Sequence, residues 1–509
     1  MTETTKKIRT RFAPSPTGFL HVGGLRTALF AYLWAKHNGG DFLLRIEDTD
    51  QARFIDGAIE KLVSVLTGMG IVYDEGVVVE SGEILDKGDH GPYLQSNRLE
   101  IYQKYSKELV EAGHAYYCFC DEQRLTELRK EQEALKQPTR YDRKCRSLSK
   151  EEVQNNFDNA MAYVIRQAIP EEGQTTIHDL VYGDIVWENK LLDDQVLMKS
   201  DGFPTYHLAV VIDDHLMEIS HVIRGEEWIP STPKHILLYK SFGWEQPQFA
   251  HLPLLLNKDR SKLSKRQGDV SVEDFLAKGY LKEALINFVA LLGWNPKTDQ
   301  EIFNLQELIE QFELSKVNKS GPIFDIEKLD WFNNLYIRKM SNAEIVTAVL
   351  PFLKADGLIV DELQSKNGKK ITQEFLESII EIEKERMKKF SEIGERTAYF
   401  FEQPKYNPEL LIWKKANLVQ TKENLSNLID FIQNLSDSDF NSVLEIETKV
   451  KEFIAQNNLD NGSVLWPLRV ALSGLEKSPS PFELLYVLFI GYGKFEILQR
   501  IEIALKLLT

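Results

Sequence analysis

The chain has 509 residues, 43% hydrophobic and 27% charged, which is the composition of a folded globular protein and not of a mainly disordered one. Its formal net charge of −16 argues against a non-specific nucleic-acid coat, although a selective RNA binder needs only local basic patches. No apolar run reaches the roughly 18 residues that span a bilayer, the first residues are polar, and three cysteines are too few for a disulfide scaffold. We therefore expect a cytoplasmic protein of several domains that does not enter a membrane.

Residues 8–46 have the pattern of strand, turn, helix and strand. Residues 8–12 alternate, and prolines and a glycine in residues 14–18 end that run. The next apolar residues follow the three- and four-residue spacing of an amphipathic helix: Leu25, Ala28, Leu29, Tyr32 and Leu33. Residues 42–46 then read as a second strand. A βαβ unit of this kind predicts a parallel sheet.

This pattern is interrupted between about residues 112 and 203, where all three cysteines and a charged helical stretch, 121–136, are found. Alternating apolar segments return at 206–212 and 221–223, which favours an insertion inside a parallel-sheet domain. The pattern is helical from Val272, and from about residue 341 to the end strand signals are nearly absent.

Two separate motifs suit a nucleotide. His21-Val22-Gly23-Gly24 leads directly into the first helix, whose amino-terminal amides and dipole attract phosphate, and glycines let phosphate approach the backbone. Residues 258–266 carry five cations separated by small polar residues, which suits a triphosphate whose charge shifts as pyrophosphate leaves. Taken singly, the first motif is more often a plain turn and the second more often a solvated basic loop.

Together the motifs carry a family resemblance. The proline-rich loop with HVGG, followed more than two hundred residues later by KLSKR, resembles the signature pair of class I aminoacyl-tRNA synthetases. Longer segments resemble bacterial-type glutamyl-tRNA synthetases: residues 11–18, 45–50, 91–96, 206–209, 213–215, 222–228 and 466–474. The resemblance covers essentially the whole chain. It implies a Rossmann-like α/β catalytic domain with an inserted acceptor-binding subdomain, followed by an all-α anticodon-binding region.

The resemblance also implies domain limits and a reaction. The catalytic domain would comprise residues 1–112 and 204–257, the inserted subdomain 113–203, the KLSKR loop with a helical stem-contact domain 258–340, and the anticodon-binding domain 341–509. Members activate L-glutamate with ATP and Mg²⁺ to glutamyl-adenylate and pyrophosphate, and then transfer glutamate to the 3′-terminal adenosine of tRNA(Glu). A monomer is expected.

Residue roles follow from the same resemblance. The ATP side would be formed by His21, Gly23, Gly24, Glu227, Trp228, Leu255, Lys262 and Lys265, with His21, Lys262 and Lys265 as the catalytic candidates. The glutamate pocket would be formed by Arg11, Ala13, Ser15, Glu47, Tyr206 and Arg224. Arg11 or Arg224 is expected to hold the γ-carboxylate, because a guanidinium bonds both oxygens, and Glu47 to accept from the α-ammonium group. Val210 stands where the family often has asparagine, so no hydrogen bond is expected there.

The cysteines suggest a metal. Cys118, Cys120 and Cys145, with Tyr141, resemble the zinc module that some members carry in the inserted region. Zinc takes four ligands, but Ser147 stands where those members have a histidine, and tyrosine is an uncommon ligand. One structural Zn²⁺ and three reduced thiols both remain open.

The carboxy-terminal region offers one candidate for anticodon reading. Arg386 lies in a segment, 375–401, whose pattern predicts a helix, and it matches an arginine that contacts the last anticodon base in the family. The alternative is an ordinary solvated helix face. RNA loops expose base edges that arginine can read.

Three other functions are compatible with parts of the sequence. A paralogue that glutamylates a tRNA base would lack the helical carboxy-terminal region, and glutaminyl-tRNA synthetase would have a β-barrel there. An RNA-binding regulator without catalysis would not need HVGG and KLSKR. Whether tRNA(Gln) is also charged stays open.

Overall fold

The computed structural model describes residues 6–263, 270–360, 363–366 and 368–508. The chain divides into two compact units, Met1–Leu276 with Lys282–Ile326, and Ala277–Leu281 with Glu327–Thr509. None of the helices in the described ranges combines the length and the apolar character needed to cross a membrane.

The first unit contains strands and helices in alternation. Its strands are β1 (Arg9–Phe12), β2 (Asp41–Leu44), β3 (Glu75–Glu80), β4 (Glu83–Lys87), β5 (Ala115–Cys118), β6 (Val164–Gln167), β7 (Gln174–Asp179), β8 (Gly183–Glu188), β9 (Val196–Met198), β10 (His221–Gly225) and β11 (Gln248–Leu252). Its helices are α1 (Val22–His37), α2 (Ala58–Gly68), α3 (Leu99–Glu111), α4 (Glu122–Ala134), α5 (Lys150–Asp158), α6 (Tyr206–Leu216), α7 (Thr232–Phe242), α8 (Val272–Ala277), α9 (Lys282–Ala290) and α10 (Leu305–Gln311).

Two mostly parallel sheets form the centre of this unit. One has the order β1-β2-β3-β4 and the other β10-β11-β7-β8, with only the outer strands β4 and β8 antiparallel. The sheets meet where the Ser220 backbone N–H donates to the Arg9 carbonyl at 2.9 Å. Helix α1 connects the parallel strands β1 and β2, so the predicted βαβ unit is present.

The strands between β4 and α6 belong to two different sheets, which the sequence pattern does not indicate. Strands β5, β6 and β9 form a separate antiparallel sheet, whereas β7 pairs with β11 and so belongs to the central sheet. The four-part division of the chain predicted from the resemblance remains a prediction.

The strand predicted from the alternating segment 206–212 is wrong, because these residues form the first turns of helix α6. Every residue from Leu208 to Asp214 is buried, and a helix covered on all sides loses the one-sided apolar stripe that identifies it in a sequence. Val210 is 2% exposed and lies in an apolar cluster with Leu197 and Leu238, so its side chain serves the core.

The second unit is helical, as predicted. Its helices are α11 (Ile326–Lys339), α12 (Asn342–Ala355), α13 (Gln373–Glu383), α14 (Ile393–Phe401), α15 (Leu418–Asn434), α16 (Val443–Gln456), α17 (Asn461–Ser473) and α18 (Pro481–Leu507). A short hairpin, β12 (Ile359–Val360) and β13 (Gln364–Ser365), interrupts them. Ser341 and Ser480 begin α12 and α18 with capping boxes, which satisfy amides that the helix itself cannot. An α/β region followed by an all-α region is the fold class expected from the sequence.

The predicted helix over 375–401 is interrupted, and Arg386 lies in the interruption between α13 and α14. Side chains of α11 hold the open turn: Asn333 donates to the Lys388 carbonyl at 2.6 Å, and Asn334 to the Met387 carbonyl at 2.7 Å. These bonds satisfy carbonyls that would otherwise lack partners at a helix end. The break therefore depends on a distant helix, which local periodicity does not reveal.

Candidate active site

A cavity of about 780 Å³ opens where the carboxyl ends of β1, β2 and β10 meet the amino end of α1. The predicted site residues that line it are Arg11, Ala13, Ser15, His21, Gly23, Gly24, Glu47, Tyr206, Arg224, Glu227, Trp228, Leu255 and Lys262. Lys265 lies outside the described residues. Two groups of residues far apart in the chain thus meet in one cavity, although the role of each remains a prediction.

One end of the cavity is formed by the start of α1. His21 is the N-cap residue, and its Nδ1 accepts from the Gly23 backbone N–H at 2.9 Å. An acceptor at Nδ1 places the imidazole hydrogen of neutral His21 on Nε2, where it can be donated to an anion. The helix dipole adds positive potential at the same point. A Cβ at Gly24 would lie 3.0 Å from Leu20 Cδ1, so a larger residue there would require the Leu20 side chain to shift.

Arg26, which the sequence analysis did not select, adds a cation to the cavity wall. It is 3% exposed, and among the described residues its hydrogen bonds go to the carbonyls of Leu292 and Pro253. Burial lowers the pKa of Arg26 to about 10, so it still carries its charge at neutral pH. Nothing in the sequence marks Arg26 as a site residue, because it lies among the regularly spaced apolar residues of α1.

Arg11 enters the cavity with its charge already balanced. Asp214 Oδ1 accepts from Arg11 Nε at 3.0 Å and from Arg45 Nη1 at 2.7 Å, and all three side chains are almost completely buried. Burial opposes ionisation of Asp214, but the two arginines outweigh it and lower the pKa of this carboxyl group. The Asp213-Asp214 motif has no role that the sequence reveals, and in the structure Asp214 is a counter-charge to Arg11 and Arg45.

Neighbouring acidic residues complete a buried network. Asp213 accepts from Arg98 Nε at 2.7 Å and from the Tyr102 hydroxyl at 2.9 Å, and therefore fixes α3 against α6. Glu47 accepts from Arg45 Nη2 at 3.1 Å. Burial raises the pKa of Glu47 although Arg45 acts in the opposite direction. An ammonium group beside Glu47 would favour its ionised form.

Arg224 is held differently. It is 5% exposed and donates to the Tyr206 hydroxyl at 3.0 Å, to Thr232 Oγ1 at 2.8 Å and to His251 Nε2 at 3.2 Å. In the part of the chain that the structure describes, no carboxylate forms an ion pair with Arg224. Because its charge is not balanced by contact, Arg224 is better suited than Arg11 to attract the carboxylate of a bound molecule.

Comparison with known proteins agrees with this geometry. Residues 7–331 match the family described as tRNA synthetases class I (E and Q), catalytic domain, and residues 344–505 match an anticodon binding domain. The glutamate–tRNA ligase of Clostridioides difficile is 45% identical over 496 residues, which cover 97% of this chain and 98% of that protein. This chain belongs to the glutamate–tRNA ligase family. The resemblance stated from the sequence, the fold class and the enzyme class are confirmed.

Solved structures of the glutamate–tRNA ligase family have the same fold. The Elizabethkingia meningosepticum glutamate tRNA ligase, solved in complex with its amino acid, is 36% identical to this chain, with a TM-score of 0.85. The match covers 99% of this chain and 100% of that one. The enzyme from Elizabethkingia anophelis has a TM-score of 0.84 at 36% identity.

The three cysteines come together apart from this cavity. The Sγ atoms of Cys118, Cys120 and Cys145 all lie within 4.8 Å of one another, and the Tyr141 hydroxyl is 3.3 Å from Cys118 Sγ and 3.5 Å from Cys120 Sγ. Hydrogen bonds, the largest from Cys145, lower the pKa of Cys118 to about 4. The same contact raises the pKa of Cys145. Three thiols and a phenol at this spacing fit the donor set of a tetrahedral Zn²⁺ site.

Arg386 borders a separate cavity of about 680 Å³ in the second unit. Glu383, Lys388, Arg396 and Tyr399 also line it, and Arg396 forms an ion pair with Glu383 at 2.6 Å. Arg386 itself is exposed.

Proposed function

We propose that this protein is a glutamate–tRNA ligase. It activates L-glutamate with ATP to form glutamyl-adenylate and pyrophosphate, and transfers the glutamyl group to the 3′-terminal adenosine of tRNA(Glu). The observation that carries the proposal is one cavity that joins a buried, unbalanced guanidinium, Arg224, to the capped amino end of α1. A carboxylate and a polyphosphate are the two ligands that these ends attract.

In the first step an oxygen of the glutamate α-carboxylate attacks the α-phosphorus of ATP. The bond from this phosphorus to the bridging oxygen breaks, and pyrophosphate leaves with the electron pair. His21 donates from Nε2 to a phosphate oxygen, while Lys262 and Lys265 neutralise the charge that grows on the leaving group. Mg²⁺ enters with ATP, since this ion usually binds through substrate phosphates. The protein thus supplies position and charge and forms no covalent bond to the substrate.

In the second step a ribose hydroxyl of the terminal adenosine attacks the carbonyl carbon of the adenylate, and AMP leaves. Glu47 accepts from the α-ammonium group, and Arg11 and Arg224 act on the carboxylates. Glutamine is disfavoured, because its amide presents N–H donors to a guanidinium that has only donors.

The direct test combines two assays on the intact protein. Glutamate-dependent exchange between ATP and pyrophosphate, with tRNA present, is expected, and so is charging of purified tRNA(Glu). Charging of tRNA(Gln) with glutamine would instead identify a glutaminyl enzyme. Tight tRNA binding without exchange would identify the regulator, and either result would overturn the proposal.

The proposal extends to organisation. Residues 1–112 and 204–257 would act as the catalytic domain, 113–203 as the inserted subdomain, 258–340 as the loop and stem-contact region, and 341–509 as the anticodon-binding domain. The enzyme would act as a monomer in the cytoplasm. Whether it also charges tRNA(Gln) with glutamate is decided by the same charging assay.

A structural zinc ion is part of the proposal. Cys118, Cys120 and Cys145 would hold it, and Tyr141 would occupy the fourth position in place of the histidine that Ser147 replaces. Its support is the mutual proximity of three thiols and a phenol. Such an ion would stabilise the fold around β5 and would take no part in adenylate formation.

A further inference from the structure

A series of hydrogen bonds holds Arg224 from the side away from the cavity. Asp179 Oδ2 lies 2.6 Å from His251 Nδ1, and His251 Nε2 lies 3.2 Å from Arg224 Nε. The side chains of Asp179 and His251 have no exposed surface, and neither residue lines the cavity. Toward the cavity, His251 Nε2 contacts Arg224 and, at 3.1 Å, the Thr232 hydroxyl, which itself accepts from Arg224 Nη2.

The donors around Asp179 determine where the hydrogen of His251 sits. Oδ1 accepts from the backbone N–H groups of Val181 and Tyr182 at 2.9 and 2.8 Å, and Oδ2 accepts from the His251 backbone N–H at 3.0 Å. A carboxylate that faces only donors requires the hydrogen of His251 on Nδ1. Nε2 is then an acceptor, and it faces both the single N–H of Arg224 Nε at 3.2 Å and the Thr232 hydroxyl at 3.1 Å.

A second histidine contacts the other end of the guanidinium. His235 Nδ1 lies 3.4 Å from both Nη1 and Nη2 of Arg224, and its Nε2 lies 3.0 Å from His207 Nδ1. Burial lowers the pKa of His207 to about 4, and burial also lowers the pKa of His235 and of His251. All the acceptors around this cation are consequently neutral at physiological pH, which contrasts with the carboxylate that balances Arg11.

We infer that His251, fixed by Asp179 in the tautomer that accepts at Nε2, is a positioning residue for Arg224. It orients the guanidinium toward the cavity and leaves its positive charge unbalanced for a substrate carboxylate. Thr232 supports the same arrangement, since its hydroxyl donates to the Trp228 carbonyl at 2.9 Å and so accepts from Arg224. The inference rests on the proposed function, because the substrate carboxylate is that of glutamate.

Asp179→Asn tests the tautomer. An asparagine must place its NH₂ group on one side, and the side facing His251 is favoured because it meets one backbone N–H group, whereas the other side meets two. His251 then has to accept at Nδ1 and carry its hydrogen on Nε2, directly against Arg224 Nε–H. We expect KM for glutamate to rise about ten- to a hundredfold, as is usual when a supporting partner is lost, while KM for ATP stays unchanged.

The matched control is Asp184→Asn. Asp184 accepts from His178 Nδ1 at 2.7 Å, but both side chains are exposed on the β7–β8 hairpin. The same chemical change in this second aspartate–histidine pair should leave KM for glutamate at the wild-type value. An equal increase in both variants would overturn the inference.

Nitrogen-15 NMR of the histidine rings gives a readout that a purely structural role would not move. The His251 signals are identified by their loss in His251→Gln. Wild-type His251 should carry its hydrogen on Nδ1, and Asp179→Asn should move it to Nε2. An imidazolium, or a hydrogen on Nε2, in the wild-type protein would overturn the inference even if Asp179→Asn does not fold.

The two proposals fail separately. If wild-type protein does not use glutamate, the proposed function is wrong, and the NMR result still decides the tautomer. If wild type uses glutamate and folded Asp179→Asn has an unchanged KM for it, the function stands and the positioning role is wrong.

Discussion

At the scale of single residues, the buried arginines of the cavity differ in whether a carboxylate neutralises their charge. Arg11 and Arg45 share Asp214, whereas Arg224 is held by hydroxyl groups and neutral imidazoles. A buried charge is costly unless it is paired, so the unpaired one has the most to gain from a bound anion. This difference separates two arginines that the sequence analysis had to treat alike.

Asp214→Asn should lower the free energy of unfolding by about 3–5 kcal/mol at neutral pH, because buried Arg11 loses its paired carboxylate and buried Arg45 keeps only Glu47 and, at 3.7 Å, Asp213. Chemical denaturation measures the change. The pKa of Asp214 is lowered in the fold, so its stabilising effect is present above the unfolded value of about 4 and is lost as pH falls through the folded value. The difference from wild type should therefore shrink in acid. The exposed Asp184→Asn should change stability by less than about 0.5 kcal/mol, and an equal loss in both variants would contradict the role of Asp214.

Lys265→Ala should slow adenylate formation about a hundredfold, equivalent to roughly 3 kcal/mol, with little effect on binding of glutamate or tRNA. The reason is that its charge matters most as pyrophosphate departs. Lys262→Ala should act in the same direction, since Lys262 lines the cavity. Single-turnover activation is the measurement, and Lys240→Ala, at the exposed end of α7, is the control. Activation at the wild-type rate would remove Lys265 from the mechanism.

At the scale of elements, the turns between helices and strands carry the specialised chemistry. The cysteine cluster joins the end of β5 to the turn around Cys145, and Arg386 occupies the break between α13 and α14. Both positions depend on contacts from other elements. Substitutions in the cysteine cluster should therefore affect metal binding, and substitutions at Arg386 should affect tRNA preference, while the cavity stays intact.

Purified protein should contain about one zinc per chain, and Cys120→Ser should lose it and destabilise the region around β5. Tyr141→Phe keeps the ring stacked against Arg166 but removes the hydroxyl, so it should weaken metal binding without abolishing it. Metal analysis and thermal unfolding measure both effects, with Ser147→Ala as the unaffected control. A metal-free wild type, prepared without chelator, would show that the thiols are simply reduced.

Arg386→Gln should relax the preference for tRNA(Glu) over tRNA(Gln) by roughly 1–3 kcal/mol, the value of one base contact. Glutamate and ATP parameters should stay at wild type, because Arg386 lies in the second unit. Lys451→Gln removes the same charge from an exposed ion pair on α16 and is the matched control. An unchanged ratio of kcat/KM for the two tRNAs would mean that Arg386 does not read the anticodon.

At the scale of the whole molecule, a chain of net charge −16 is proposed to bind a polyanion, so tRNA must be bound through local cations and not through overall attraction. The two candidate sites lie in different units. Substrate selection and tRNA selection are then carried by separate sets of residues, and their contributions to kcat/KM should be independent.

The double variant Arg224→Gln with Arg386→Gln tests this independence. Arg224→Gln alone should weaken glutamate use by about 2–5 kcal/mol, the usual effect of truncating one partner of a buried charge-assisted bond. In the double variant the losses should add to within about 0.5 kcal/mol, as they do for sites that share no partners. The measurement is kcat/KM of charging with each tRNA for the wild type, the two single variants and the double variant. A larger deviation would show that the sites are coupled.

The sequence by itself determined whatever depends on near neighbours in the chain. The βαβ unit, the start of a helix directly after the HVGG motif, the helical second unit and the family follow from periodicity and contiguous motifs. The same reasoning was wrong for 206–212 and for the continuous helix over 375–401, because burial on all sides and side chains from α11 decide those segments.

Only the tertiary structure decided which charges meet. Asp214 is 203 positions from Arg11, and His251 is 72 positions from Asp179, so no local pattern predicts either pair. The residue types present in the cavity could be named in advance, since phosphate and carboxylate chemistry restricts them. Their protonation states and the pairing of their charges could not be predicted, because a buried group's charge is set by the few atoms that the fold places against it.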